Sequence, residues 1–96
     1  MSAGLSPQMI EAVLRTALAP LQAAPLQRLD VVNESHLHAG HAGAGEGSHF
    51  RVFIVADCMT GLSRLARHRL VYDALRDVIP QGIHALAIEA QGPDPA

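Results

Sequence analysis

The sequence predicts an α/β (α+β) fold, a single α-β-β-α-α-β domain in which a three-stranded mixed sheet carries its helices packed on one face. The length of 96 residues suits one domain, so residues 1–96 are predicted to form a single unit. Apolar residues alternate with a period of two in the strand segments and recur with helical spacing between them. The last strand follows a helical crossover, which predicts a parallel, right-handed connection to the second strand.

The first helix is predicted over residues 6–19. Ser6 is a good N-cap, and Pro7 falls at the first helical position, where proline is tolerated. Leu5 and Ile10 have the spacing of a hydrophobic staple. One apolar stripe at helical spacing follows along the segment, formed by Met9, Ile10, Val13, Leu14, Ala17 and Leu18.

Two strands are predicted at residues 27–33 and 49–56, and they flank a loop at residues 34–48. The second strand is apolar on both faces near its end, which favours a central place in the sheet. The loop is rich in Gly, Ala and His and cannot build a core. A loop this long within a compact domain is often functional.

The rest of the chain returns to helical spacing and then to a strand. Residues 62–79 are predicted to form one long or broken helix with Ser63 as an internal cap, and Pro80 and Gly82 end it. A last strand is predicted at residues 83–90. The core then spans about residues 6–90, and the tail at 91–96 is expected to be frayed.

Composition argues for a small intracellular protein. The net charge is −2 and the seven basic residues are all Arg, which weakens the case for nonspecific nucleic-acid binding. The single cysteine, Cys58, excludes an internal disulfide framework. Neither a secretory signal nor a membrane span is recognisable, so we expect a cytoplasmic protein without membrane contact.

The six histidines are the most informative polar residues. His36, His38 and His41 lie in the loop, and His84 lies near the start of the last strand. Parallel pairing of the second and third strands would place His84 near the loop histidines, because the starts of parallel strands share one end of a sheet. A zinc site formed by loop histidines and His84 is one interpretation. On spacing alone, a solvated loop that binds nothing is favoured.

A second polar cluster lies on the predicted helix after the second strand. Arg64, Arg67 and Arg69 could contact phosphates, but the solvated face of an amphipathic helix is the favoured interpretation. The element order resembles a type II KH domain, yet the stretch from Thr60 to Ser63 has one glycine and therefore lacks a GxxG loop. No catalytic constellation is recognisable, and we predict that the chain is not an enzyme.

Several short motifs together resemble the BolA family. The resemblance covers roughly residues 6–90 and has four parts in the family's order: VVNES at 31–35, SHFRV at 48–52, TGLS at 60–63 running into RHRLVY at 67–72, and IHALAI at 83–88. Membership of this family implies an α-β-β-α-α-β domain related to type II KH folds.

The resemblance also implies a partner and a cofactor. BolA proteins pair with monothiol glutaredoxins of the Cys-Gly-Phe-Ser type, and a [2Fe–2S] cluster is shared with the glutaredoxin and glutathione; the isolated protein is expected to hold no cofactor and to be a monomer or weak homodimer. The family's C-terminal histidine ligand maps onto His84, and its loop ligand maps best onto His38, with His36 and His41 as alternatives. Some bacterial relatives are DNA-binding regulators, for which the region around Arg67 and Arg69 is the candidate surface.

Overall fold

The computed structural model describes residues 5–34 and 48–93, and it confirms the predicted fold class. The sheet has three strands in the order β1-β2-β3, with β1–β2 antiparallel and β2–β3 parallel. The central place of β2 and the parallel last strand are therefore as predicted. The elements in chain order are α1 (Pro7–Leu18), β1 (Arg28–Asn33), β2 (Ser48–Val55), α2 (Arg64–Ala74) and β3 (Ile83–Gln91).

Helix α1 begins as its sequence predicts. The Ser6 hydroxyl accepts a hydrogen bond from the Met9 backbone N–H at 3.2 Å, and Pro7 occupies the first turn, where no intrahelical N–H bond is lost. The buried stripe is narrower than predicted: Ile10, Leu14 and Leu18 are buried, whereas Met9 remains 48% exposed.

The core lies between the helices and one face of the sheet. Along β2, Phe50, Val52 and Ile54 are buried, while Arg51 and Phe53 between them remain partly exposed. The alternation shows that only one face of the sheet is covered. The helices and the chain between them contribute the facing apolar residues, among them Ile10, Leu14, Leu18, Met59, Val71 and Leu75.

The segment predicted as one long or broken helix over residues 62–79 contains one α-helix, α2, which is shorter than the segment at both ends. Ser63 is the N-cap of α2 and accepts from the Ala66 N–H at 3.1 Å, so the cap is terminal and not internal. The helix ends at Ala74, a turn follows, and a 3₁₀ turn spans Ile79–Gln81. Pro80 lies in the first positions of this 3₁₀ turn, where its missing N–H costs no hydrogen bond.

The end of β3 also differs from the prediction. Gln91, expected in the frayed tail, belongs to β3, and its carbonyl accepts from the Ala56 N–H at 3.0 Å. Gly92 then passes close to the turn before α2. A Cβ atom at Gly92 would lie 2.6 Å from Thr60 Oγ1 and 3.0 Å from Thr60 Cα, a separation that ordinary packing does not allow. Residues 94–96 of the predicted tail lie outside the described residues.

The close approach of Gly92 predicts that Gly92→Ala destabilises the protein. Forcing the chain away from Thr60 should lower the free energy of unfolding by about 1–3 kcal/mol, the range of overpacking substitutions. Urea denaturation followed by circular dichroism measures this. In a Thr60→Ala background, which lacks the nearer atom, the same substitution should cost less. An equal loss in both backgrounds would contradict the steric explanation.

Candidate functional site

Parallel pairing of β2 and β3 brings two histidines together at one end of the sheet. Ser48 is the register partner of Ile83, and His49 is the partner of Ala85, so the register shifts by one residue between Ser48 and His49. His84 lies within this irregularity. Its imidazole centroid is 5.3 Å from that of His49, and the two ring planes are tilted by 46°.

The two imidazoles differ in their surroundings. His84 is exposed and borders a small cavity of about 100 Å³ whose other walls include Tyr72, Ile79 and Ile83. His49 is half-buried and borders a larger cavity of about 400 Å³ together with Glu34 and residues of β2 and β3. The histidine pair is thus held by paired backbone on one side and open to solvent on the other.

The charges beside the pair are balanced by Arg51. Its Nε lies 2.9 Å from Glu34 Oε2 and its Nη1 lies 3.0 Å from Glu89 Oε2. The hydrogen bond and the charge of Glu34 are the main reasons that the pKa of Arg51 is raised above its ordinary value. Glu34 also donates its backbone N–H to the His49 carbonyl at 2.7 Å, which fixes the chain at the start of β2. The Glu34 carboxylate, which borders the same cavity as His49, is therefore paired with an arginine.

Only one of the four predicted histidine ligands lies among the described residues. His84 lies at the predicted end of the sheet, while His36, His38 and His41 fall outside the described residues. The sequence analysis did not single out His49, because the alternating pattern of its strand assigned it only to one face of the sheet. The parallel pairing that located His84 could also have located His49, because His49 lies near the start of β2 and the starts of parallel strands share one end of the sheet. Within residues 5–34 and 48–93, His, Cys, Asp and Glu side chains form no cluster of three or more suited to a metal ion.

Arg67 has a role that the sequence did not suggest. Its Nε donates to the Met59 carbonyl at 3.0 Å and its Nη1 donates to the Ala90 carbonyl at 3.2 Å. This half-buried side chain ties the turn before α2 to the end of β3. Arg64 and Arg69, the other two candidates for phosphate contact, are exposed on α2.

Cys58 is half-buried and lines a groove between the segment after α1 and helix α2. Leu21, Leu62 and Leu70 line this groove with it. Burial raises the pKa of the Cys58 thiol above its ordinary value, which keeps the thiol protonated near neutral pH. In the part of the chain that the structure describes, neither α-helix is long and apolar enough to cross a bilayer.

Fold and site together define a small α+β domain with a histidine-bearing sheet end. The chain matches the family described as BolA-like protein over residues 14–95, and it belongs to that family. The sequence-based assignment is thereby confirmed.

Relatives of known name support this membership. The chain is 43% identical over 84 residues to BolA-like protein 1 of Mus musculus, covering 88% of this chain and 58% of the mouse protein. It is 40% identical over 79 residues to the DNA-binding transcriptional regulator BolA of Escherichia coli (strain K12), covering 82% of this chain and 68% of that protein. The chain thus spans little more than half the length of the mouse relative.

The fold is shared with solved BolA structures. The BolA domain of SufE1 from Arabidopsis thaliana superposes with a TM-score of 0.74 at 38% identity, covering 96% of each chain. The longer Arabidopsis protein named SufE-like protein 1 is 45% identical over 71 residues, which are 19% of its length. A domain of this kind therefore occurs as one part of a larger protein.

The bonds made by Arg67 predict that Arg67→Ala destabilises the fold. The substitution removes two hydrogen bonds from a charged donor and leaves the Met59 and Ala90 carbonyls without that donor. It should lower the free energy of unfolding by about 1.5–3 kcal/mol. Arg64→Ala is the matched control on the exposed surface of the same helix and should stay within about 0.5 kcal/mol of wild type. Urea denaturation of both variants measures the difference, and equal midpoints would refute a structural role for Arg67.

Proposed function

We propose that the chain is an adaptor that binds a monothiol glutaredoxin and supplies histidine ligands to a [2Fe–2S] cluster held between the two proteins. The observation that carries the proposal is the parallel pairing of β2 and β3. It places His84 at the sheet end where the chain leaves the histidine-rich 34–48 loop and enters β2. The strand histidine thus lies at the end of the sheet where β2 begins, and the proposal takes its second ligand from the segment that precedes β2 in the sequence.

The residues at this sheet end fit such a cluster. A cluster shared between two proteins has to be reached from outside, and His84 is exposed. Neutral imidazole is an accepted ligand of [2Fe–2S] iron, as Rieske centres show, and it raises the reduction potential relative to thiolate ligation. The cluster would supply the redox and transfer chemistry, while the glutaredoxin and glutathione would supply the thiolate ligands.

The chain's own residues divide the binding task. His84 supplies a nitrogen from a paired strand, and His38 is the loop ligand that the family resemblance favours, with His36 and His41 as alternatives. Because neutral imidazoles place less negative charge on the cluster than thiolates do, this ligand set suits a cluster that is sensed or passed on. In this proposal the chain acts in cluster trafficking or in iron and redox regulation. The occurrence of a BolA domain inside a SufE-named protein agrees with a module that works beside others.

Cluster reconstitution tests the adaptor role. Wild-type chain added to a cluster-loaded monothiol glutaredoxin should give a complex with a new visible circular-dichroism spectrum, and His84→Ala should abolish that spectrum. His68→Ala is the matched control, because His68 lies on α2 away from the sheet end, and it should leave the spectrum unchanged. Single His38→Ala, His36→Ala and His41→Ala variants identify the loop ligand. If wild type neither binds the glutaredoxin nor changes its spectrum, the proposal fails.

A second candidate function is DNA binding, favoured by the name of the Escherichia coli relative. Arg64 and Arg69 are the exposed candidates for phosphate contact, whereas Arg67 is bonded to backbone carbonyls. The net charge of −2 argues that any such binding is weak and sensitive to salt.

A salt titration tests this second candidate without disturbing the fold. If α2 binds DNA, the double variant Arg64→Ala, Arg69→Ala should flatten the plot of log affinity against log salt by about 0.9 for each phosphate that is no longer neutralised. Fluorescence anisotropy with a labelled duplex measures the slope, and Arg15→Ala on α1 is the control. An unchanged slope would exclude this surface of α2.

A further inference from the structure

Strand β1 forms the edge of the sheet opposite β3, and the phase of its pairing with β2 shows which of its backbone groups face outward. In the part of the chain that the structure describes, β1 has β2 as its only neighbouring strand. The Glu34 N–H donates to the His49 carbonyl, and the residues that bond to the partner strand alternate along an antiparallel strand. The N–H and C=O groups of Leu29, Val31 and Asn33 therefore point away from β2.

This outer edge is not capped in the way that the edge of β3 is. Side chains of α2 donate hydrogen bonds to two carbonyls of β3. Among the described residues, no side chain donates to the backbone carbonyl of Leu29 or Val31. An uncapped edge presents its N–H and C=O groups to a further strand. β1 can therefore accept a strand from a second molecule without changing its pairing with β2.

The uncovered face of the sheet carries side chains of both signs along β1. Arg28 and Asp30 are exposed, and the Arg28 Nε lies 2.7 Å from Asp30 Oδ2. Glu34 follows β1 directly, and the Arg51 Nε contacts its Oε2 at 2.9 Å. A cation at the start of the strand and an anion just past its end are complemented by an antiparallel copy of the same strand.

One register of two antiparallel β1 strands satisfies both the backbone groups and the charges. Outward-facing residues have to pair with outward-facing residues, so the twofold axis passes through a residue. An axis at Asp30 sets Asp30 against its own copy, and an axis at Val32 sets Asp30 against Glu34. Like charges directly opposite each other are destabilising. An axis at Leu29 or Asn33 pairs only the end of each strand, which leaves the axis at the residue midway between these two.

We propose that β1 pairs with β1 of a second copy of this chain, antiparallel and with Val31 on the twofold axis. In this register Arg28 of each copy lies opposite Glu34 of the other, at a pair without backbone hydrogen bonds, where side chains approach most closely. The two sheets then join into one, with the helices of both copies on the same face. Because β3 lies on the far side of β2, the pairing leaves β3 uncovered and is independent of the adaptor function.

Amide hydrogen exchange of the wild-type full chain tests the pairing without a substitution. The N–H groups of Leu29 and Val31 should exchange more slowly as the protein concentration rises from micromolar to millimolar, because only the dimer bonds them. Their exchange rates should fall by half where half of the chains are paired. The N–H groups of Asp30 and Val32 face β2 and should change far less. The short overlap predicts a weak dimer, so the effect should be largest at the highest concentrations.

The variant Arg28→Glu tests the charge complementarity. Each dimer has two contacts between Arg28 and Glu34, and the substitution turns both into contacts between like charges. The dissociation constant measured by sedimentation velocity should therefore rise at least about fivefold. Arg69→Glu is the matched control, because it changes the net charge equally at an exposed position of α2, the helix that contacts β3. It should dimerise as the wild type does.

Three results would overturn the proposal. The first is exchange at Leu29 and Val31 that does not depend on concentration. The second is a dimer whose formation leaves exchange at these two residues unchanged, because another surface would then hold it. The third is a folded Arg28→Glu variant with the dissociation constant of the wild type. If circular dichroism shows that this variant does not fold, the exchange measurement on the wild type decides.

Discussion

The parallel pairing of β2 and β3 is the constraint on which the rest of the structure depends. Parallel strands need a crossover, and α2 with its following turns supplies it while covering the apolar face of the sheet. The same pairing sets the starts of both strands at one end, where His49 and His84 meet. It sets their ends at the other, where the Ala56 N–H reaches the Gln91 carbonyl and Gly92 passes against Thr60.

Helix α2 also protects the sheet edge that the parallel pairing creates. β3 is an edge strand, and an edge exposes backbone groups that can pair with another chain. The Tyr72 hydroxyl donates to the Leu86 carbonyl at 3.4 Å, and the Arg67 guanidinium donates to the Ala90 carbonyl. In the sequence, the polar side chains of α2 resemble a surface that is free to bind a ligand. In the structure, some of them instead donate hydrogen bonds to backbone carbonyls of β3.

The sequence was sufficient where local signals and the global fold agree. Ser6 and Pro7 start α1 as predicted, and the alternation in β2 identified the central strand. The sequence-based prediction of the helix boundary failed where apolar residues face the core from a turn. Val78 and Ile79 pack against the core from turns, and their spacing in the sequence is that of a helix. The ring contact of His49 depends on a one-residue register irregularity, and the bonds of Arg67 join residues distant in sequence. Neither leaves a periodic signal.

The uncovered face of the sheet and the starts of its parallel strands differ in the side chains that they expose. Arg51 of β2 pairs with Glu34, which follows β1, and with Glu89 of β3, and the Arg28 guanidinium lies 4.4 Å from the centroid of the Phe53 ring. This face carries charged side chains and the Phe53 ring beneath Arg28, together with Val32, the half-exposed register partner of Arg51. The strand starts combine the exposed imidazole of His84 with adjoining cavities, while the opposite end carries the Arg67 hydrogen bonds and the close approach of Gly92 to Thr60. The exposed imidazole of His84 and the backbone hydrogen bonds of Arg67 therefore lie at opposite ends of one sheet.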